Sequence, residues 1–364
     1  MKRGAGRKAA DAFNGSADAF FMTEALSLAE NGLGRTRPNP SVGAVVVKGG
    51  KIVGRGWHKR VGDAHAEVEA LRDAGIRAKG ATVYVSLEPC SRPGRVGACT
   101  DALAAAGVAR VVYAVIDPNP RNAGRARAEL AASGVACERL RAPRELLDKA
   151  ERLIRGFSKV FAPGPKQGLP FVTVKIAMSL DGRICDGEGN AKWISSAAAR
   201  AKTGALRNKV DAVMVGADTL RCDNPSLLCR QGDNPNLLRL VVTTSARGFD
   251  RNWQVFSDDA RHRTFILCVG RSVVPRSLRD WARDGEGAIG GVIAAKSLED
   301  GLRAFSERTG ALEILCEGGM KLAVSLAEAG LVDEWITVLA PKVVGSRRID
   351  DAATVKEVKC LQDW

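Results

Sequence analysis

The chain has few histidines, few aromatics and no long hydrophobic run. No stretch of eighteen apolar residues occurs, which excludes a membrane-spanning helix of ordinary length. No apolar core follows the basic start Met1-Lys2-Arg3-Gly4-Ala5-Gly6-Arg7-Lys8. Residues 1–16 therefore read as a disordered tail and not as a secretory leader. Aromatics make up only 5% of the chain, and no basic stripe is interleaved with them. The net charge of +14 thus lacks the stacking surface of a nucleic-acid binder; it suits phosphorylated small molecules or solvated arginines equally well. The nine cysteines are scattered and odd in number, which argues against a disulfide scaffold and for a reducing, cytoplasmic compartment. A strand–Gly-x-Gly-x-x-Gly–helix fingerprint is missing, against a standard dinucleotide-binding Rossmann domain. There is no internal repeat and no low-complexity tract.

Against that background, His65-Ala66-Glu67, Pro89-Cys90 and Cys99 stand out. The chain has only three histidines, so one that leads a His-x-Glu triplet carries weight. An imidazole nitrogen and two thiolates make a three-ligand zinc site with the fourth tetrahedral position open to water, whose pKa the metal lowers to roughly 7. Glu67 is placed to take a proton from that water and pass it to a ring nitrogen and a leaving amine, as in the zinc-dependent base deaminases. Each motif alone is weak, and a buried histidine with two core cysteines would be the bland explanation. Their ordered combination between helical and extended segments favours the metal. Eight residues separate Cys90 from Cys99, unlike the Pro-Cys-x-x-Cys of nucleic-acid editing deaminases.

A length of 364 residues accommodates two domains with separate cores. The stretch 161–169, with Phe161-Ala162-Pro163-Gly164-Pro165-Lys166-Gln167-Gly168, has linker composition; it separates a deaminase domain over 17–160 from a second domain over 170–364. Hydrophobic spacing predicts a helix over 18–31, with Phe21, Ala25, Leu28 and Ala29 on one face. Strands are predicted over 42–47 and 51–57, joined around Gly49-Gly50. A helix over 66–74, a strand over 82–86, a helix over 101–106 and a strand over 110–116 follow. This alternation predicts an α/β sheet covered by helices. His65 and Cys99 would each open a helix, whose N-terminus favours thiolate. In the second half a strand over 171–177 begins a new series. A strand over 313–316, Glu317-Gly318-Gly319 and a helix over 321–329 form a potential anion site built from unpaired N–H groups.

Further motifs flank these in a fixed order. Arg37-Pro38-Asn39-Pro40-Ser41-Val42-Gly43-Ala44 precedes the metal motif and Asp117-Pro118-Asn119-Pro120 follows it. Then come Lys175-Ile176-Ala177-Met178-Ser179-Leu180-Asp181-Gly182, Trp193-Ile194-Ser195-Ser196, Gly216-Ala217-Asp218-Thr219-Leu220-Arg221-Cys222-Asp223-Asn224-Pro225 and Pro341-Lys342-Val343-Val344-Gly345. From about residue 19 to residue 345 the chain resembles the bifunctional pyrimidine deaminase/reductases of riboflavin biosynthesis. The resemblance implies an α/β chain: an N-terminal cytidine-deaminase-like αβα sandwich followed by a dihydrofolate-reductase-like α/β domain. It implies Zn2+ and NADPH, and a phosphorylated pyrimidine substrate. The reactions would be deamination of 2,5-diamino-6-ribosylamino-4(3H)-pyrimidinone 5′-phosphate and then reduction of its ribosyl group to ribityl. It further implies a cytoplasmic homo-oligomer without nucleic-acid or membrane partners. Asn39 and Arg95 would contact substrate in the first domain, and Arg207, Leu227, Arg230 and Glu317 in the second. Ala177, Trp193, Thr219, Asp223, Ser245 and the run Gly319, Met320, Lys321, Leu322, Ala323, Val324 and Ser325 fall at nicotinamide-cofactor positions. Lys175 joins Glu67 as a catalytic candidate.

The chain also departs from the family pattern. Arg92 replaces a histidine, Val96-Gly97-Ala98 replaces Thr-Pro-Pro, Ala191 replaces a common substrate-contacting serine, and Thr244 replaces an aspartate. Residues 355–364 resemble the family's penultimate strand and turn, without the last strand. Two other readings follow: a deaminase with a degenerate reductase partner, and a base-editing deaminase whose second domain grips nucleic acid.

Overall fold

The computed structural model describes residues 4–92, 97–186, 194–229, 232, 234–245, 247–281, 288–345 and 353–354, with backbone alone for 4–16 and 353–354. The chain divides into two compact units, Met1–Gly168 and Leu169–Trp364.

The first unit runs α1 (Gly4–Ala29), β1 (Gly43–Lys48), β2 (Lys51–Trp57), α2 (Ala66–Ala74), β3 (Thr82–Leu87), α3 (Cys99–Ala105), β4 (Arg110–Val115), α4 (Ala126–Ala132), β5 (Ala136–Arg139), α5 (Arg144–Leu153) and α6 (Arg155–Phe161). Its sheet has the order β2-β1-β3-β4-β5. β1 lies antiparallel to β2 and β3, whereas β3, β4 and β5 are parallel. The apolar runs Val45-Val46-Val47 and Val111-Val112 are buried throughout, as strands covered on both faces require. α1 packs Met22, Ala25, Leu26 and Ala29 into the core, a helical i, i+3, i+4, i+7 stripe. Of the predicted face, Phe21, Ala25 and Ala29 are buried; Leu28 is half-buried, and Met22 and Leu26 complete the buried stripe instead. α1 also begins at Gly4, within the stretch expected as a disordered tail; Ala9, Ala10 and Ala12 are strong helix formers. Asp18 fixes the helix to the sheet, since the Arg110 guanidinium donates to both its oxygens at 2.9 and 2.7 Å and Tyr84 donates at 2.7 Å.

Two glycines set the height of α2 above the sheet. A Cβ on Gly54 would lie 2.3 Å from the Ala70 carbonyl oxygen, and one on Gly56 would lie 2.4 Å from that of Ala66. These contacts are to helix backbone, so the helix must lift to admit a methyl group. Gly56→Ala is expected to lower stability by about 1–3 kcal/mol. Equilibrium unfolding of the variant checks this; an unchanged midpoint would show that the helix moves freely.

The second unit runs β6 (Phe171–Ser179), α7 (Ala197–Gly204), β7 (Ala212–Gly216), α8 (Ala217–Asp223), β8 (Leu238–Thr243), α9 (Gln254–Ser257), β9 (Thr264–Val269), β10 (Gly291–Ala295), α10 (Leu298–Thr309), β11 (Glu313–Cys316), α11 (Met320–Glu328), β12 (Glu334–Ala340), β13 (Lys342–Val343) and β14 (Ala353–Thr354). The main sheet is parallel, in the order β10-β9-β8-β7-β11-β6-β12. β13 and β14 form a separate antiparallel pair. Apolar layers cover both faces, one containing Leu240, Ile314 and Phe305 and the other Val241, Leu315 and Phe256. β11 returns between β6 and β7 after the chain has run outward through β8, β9 and β10. Such a reversal of strand order opens a crevice at the carboxyl ends of the strands. The motif read over 355–364 lies outside the described residues.

Candidate active sites

In the first unit, His65 caps the N-terminus of α2 and Cys99 is the first residue of α3, while Cys90 follows the turn after β3. Their ligand atoms all lie within 4.8 Å of one another. His65 Nδ1 is 3.2 Å from Cys99 Sγ and 3.5 Å from Cys90 Sγ. A tetrahedral zinc with ordinary Zn–N and Zn–S bonds has ligand–ligand edges of about 3.5 Å, so the cluster has the right size and donor set for that ion. The Cys99 backbone N–H donates to Cys90 Sγ at 3.3 Å. Cys90 is the thiol that ionises first: hydrogen bonds from Cys99 and His65 hold it well below the usual range. The hydrogen bond to Cys90, with burial, pushes Cys99 up; a dication brings both to the thiolate form. Glu67 is buried at 3% exposure. Burial, with the Cys90 charge, pushes its carboxyl up to about 7. A carboxyl so poised beside the cluster can hold and release a proton near neutrality.

Asn39 reaches this centre through a second histidine. Asn39 Nδ2 donates to His58 Nε2 at 3.0 Å, and His58 Nδ1 donates to the Ala64 carbonyl at 3.1 Å. The His58 and His65 rings meet edge to face with centroids 5.3 Å apart. Burial lowers the pKa of His58, which suits the neutral tautomer that this pairing needs.

In the second unit a cleft of about 1110 Å³ opens at the carboxyl ends of β6, β7, β8 and β11. Lys175 and Ala177 reach it from alternate positions on β6, and Thr219 and Asp223 from α8. Leu227, Ser245, Glu317, Gly319, Met320, Lys321, Leu322 and Ser325 also line it. Arg207 lines it as well, but in a forked ion pair: Nε and Nη2 donate to the two Glu317 oxygens at 2.8 and 3.1 Å, and Nη1 donates to the Leu228 carbonyl at 2.7 Å. The Gly319 N–H, expected as part of an open anion site, donates to Thr219 Oγ1 at 3.0 Å.

Residues 170–362 match the family described as the RibD C-terminal domain, and residues 16–115 match the cytidine and deoxycytidylate deaminase zinc-binding region. The riboflavin biosynthesis protein RibD of Escherichia coli strain K12 is 37% identical over 347 residues, spanning 90% of this chain and 89% of that protein. The chain belongs to the RibD family. The RibD protein of Haemophilus influenzae is 39% identical, over 91% of this chain and 87% of that protein. Among solved structures, Acinetobacter baumannii RibD superimposes with a TM-score of 0.80 at 32% identity, over 96% of this chain and 93% of that one. A Thermotoga maritima diaminohydroxyphosphoribosylaminopyrimidine deaminase/5-amino-6-(5-phosphoribosylamino)uracil reductase gives 0.79 at 30% identity, over 95% and 94%. Both RibD halves are therefore present, a zinc-binding deaminase domain and a reductase domain. The chain is a bifunctional enzyme of riboflavin biosynthesis, a hydrolase and an oxidoreductase. The editing-deaminase reading is not favoured, because the RibD C-terminal domain occupies the second unit.

Within this RibD chain the structure brings together most of the residues singled out from sequence. Two of the cofactor positions fall elsewhere. Ala323 packs in the core and Val324 points outward, 42% exposed, because a helix presents only part of its circumference to the cleft. Arg95, Trp193 and Arg230 lie outside the described residues, as do Ala191 and Val96. Sequence reading missed His58, although it is one of only three histidines and that scarcity was its one signal. It also missed the Arg207–Glu317 pairing, which joins residues 110 positions apart.

Proposed function

We propose that the first unit hydrolyses the exocyclic amine of 2,5-diamino-6-ribosylamino-4(3H)-pyrimidinone 5′-phosphate, and that the second reduces the ribosyl group of the product to ribityl with NADPH. The observation that carries this reading is the convergence of His65, Cys90 and Cys99 on one point, with Glu67 buried beside them. Zinc, when bound there, polarises water toward hydroxide at neutral pH. Glu67 would take one proton of the water and give it to the ring nitrogen, then take the second from the hydroxyl formed on the ring carbon and give it to the amino group, which leaves as ammonia; it would do so without serving as a ligand. Asn39, oriented by His58, holds the pyrimidine or its sugar, and Arg95 meets the phosphate.

In the second unit NADPH supplies the hydride. Lys175 protonates the oxygen that develops on the sugar, and Asp223 and Glu317 orient the sugar hydroxyls. Arg207 with Glu317 and Leu227 form the substrate side of the cleft, and Arg230 is assigned a substrate contact by the family resemblance. Ala177, Thr219, Asp223, Ser245 and the cleft-facing residues of α11 form the cofactor side, with Lys321 supplying positive charge for a phosphate, and Trp193 is assigned a cofactor contact by the family resemblance. Such an enzyme works in the cytoplasm as a homo-oligomer; among the described residues no helix is long and apolar enough to cross a membrane.

Cys90→Ser tests the assignment. The wild-type protein is expected to hold about one zinc per chain. The variant is expected to lose metal and deamination together, while it still reduces the already deaminated intermediate. Full zinc occupancy in the variant refutes the ligand set. Loss of both activities with the fold retained refutes the division of labour between the units.

A further inference from the structure

The Cys90 ligand sits in the turn Glu88-Pro89-Cys90-Ser91, which carries no regular structure of its own. It is held by the loop that follows β4, the parallel neighbour of β3. Asn122 on that loop is buried at 7% exposure. Its side-chain oxygen accepts the Ser91 N–H at 2.7 Å and the Ser91 hydroxyl at 3.0 Å. Its side-chain nitrogen donates to the Pro89 carbonyl at 3.4 Å and to Asp117 Oδ2 at 2.9 Å. One amide therefore grips the residue before Cys90 and the residue after it. All four hydrogen-bonding capacities of the amide are used. No other side chain of this size offers two acceptances and two donations in that geometry.

The loop is itself anchored. Glu88 is buried, and its oxygens accept the N–H groups of Asp117 at 3.1 Å, Gly124 at 2.9 Å and Ala126 at 3.1 Å. Asp117 Oδ1 accepts the Asn119 N–H at 2.8 Å. The Thr100 N–H donates to the Cys90 carbonyl at 3.2 Å, so α3 closes the remaining side of the turn. Partners that orient a metal ligand commonly govern metal affinity by one to two orders of magnitude when removed.

We propose that Asn122 is a positioning residue for the metal centre: by clamping Pro89 and Ser91 it aims the Cys90 thiolate at the ion and keeps it there. This role rests on the zinc reading above. A residue that merely closed a loop would affect stability but not the ligand field.

The test uses full-length protein loaded with zinc, and separately with Co2+ as a spectroscopic probe. Asn122→Ala is expected to release metal to a chromophoric chelator about ten- to a hundredfold faster. It is also expected to shift the thiolate-to-cobalt absorption bands, while the KM for reducing the deaminated intermediate stays unchanged. If that variant does not fold, Asn122→Asp, which keeps the size and the acceptor for Ser91 but loses both donations, is expected to show the same two changes. A folded variant with wild-type release kinetics and a wild-type cobalt spectrum overturns the proposal, even if it melts earlier. Wild-type protein that takes up neither ion overturns the zinc reading itself, and this role with it. That failure is seen before any variant is made, so the two are distinguishable.

Discussion

Glu67→Gln is expected to keep about one zinc per chain and to lose deamination by roughly two to four orders of magnitude, the usual worth of a positioned proton carrier. Glu67 lies in the first turn of α2, two residues beyond His65, and is buried. The amide has the same size, so the helix and the ligand cluster survive the exchange. It cannot accept a proton from water and hand it on. Burial holds the native carboxyl near neutrality before any metal binds, and a dication beside it favours the ionised form. Metal analysis and turnover at saturating substrate together check the claim. Near-normal turnover in the zinc-loaded variant would remove Glu67 from the chemistry.

Arg207→Ala is expected to damage the reductase more deeply than the loss of a phosphate contact would. The guanidinium is forked onto Glu317, and the two side chains are only 11% and 17% exposed. Removing it strips Glu317 of its counter-charge, at a cost of roughly 1.5–3 kcal/mol for a charged hydrogen bond in a partly exposed pair. Because Glu317 lines the cleft, kcat should fall along with the rise in KM, lowering kcat/KM for reduction about ten- to a hundredfold or more. Arg207→Lys should not rescue, since an ammonium cannot fork. Arg207→Ala combined with Glu317→Gln should recover part of the lost stability without recovering activity. Deamination should be untouched. A pure KM effect with unchanged melting would mean that Arg207 acts on the substrate alone and that the pair is incidental.

The segments of strong period were legible: the hairpin around Gly49-Gly50, α2, and the β11–glycine–α11 connection all lie where their patterns put them. The convergence of His65, Cys90 and Cys99 was also expected from their motifs, and the three side chains do meet in space. The period of a strand, however, reports which faces are buried and not which strand lies beside it. Hence the insertion of β11 between β6 and β7 could not be read locally. Of the four residues predicted for the buried face of α1, Leu28 was misplaced, because Phe21-Met22 and Ala25-Leu26 are adjacent apolar pairs, and either member can lead a helical stripe. Asn122 and His58 carry no motif; each acts through backbone groups or rings brought close only by the fold. Arg207 and Glu317 read as two separate substrate positions because they are distant in sequence.

The central claim is that one chain carries out both reactions in order, and product identification by mass tests it most directly. Full-length protein is given the diamino-ribosylamino pyrimidinone phosphate with and without NADPH. Without NADPH the product should show only the mass change of exchanging one amino group for oxygen, with ammonia released. With NADPH it should show that change plus the addition of two hydrogens, with matching oxidation of the cofactor. A product that is deaminated but never reduced, with NADPH left unconsumed, would contradict the account and leave the second unit as a partner without its own chemistry.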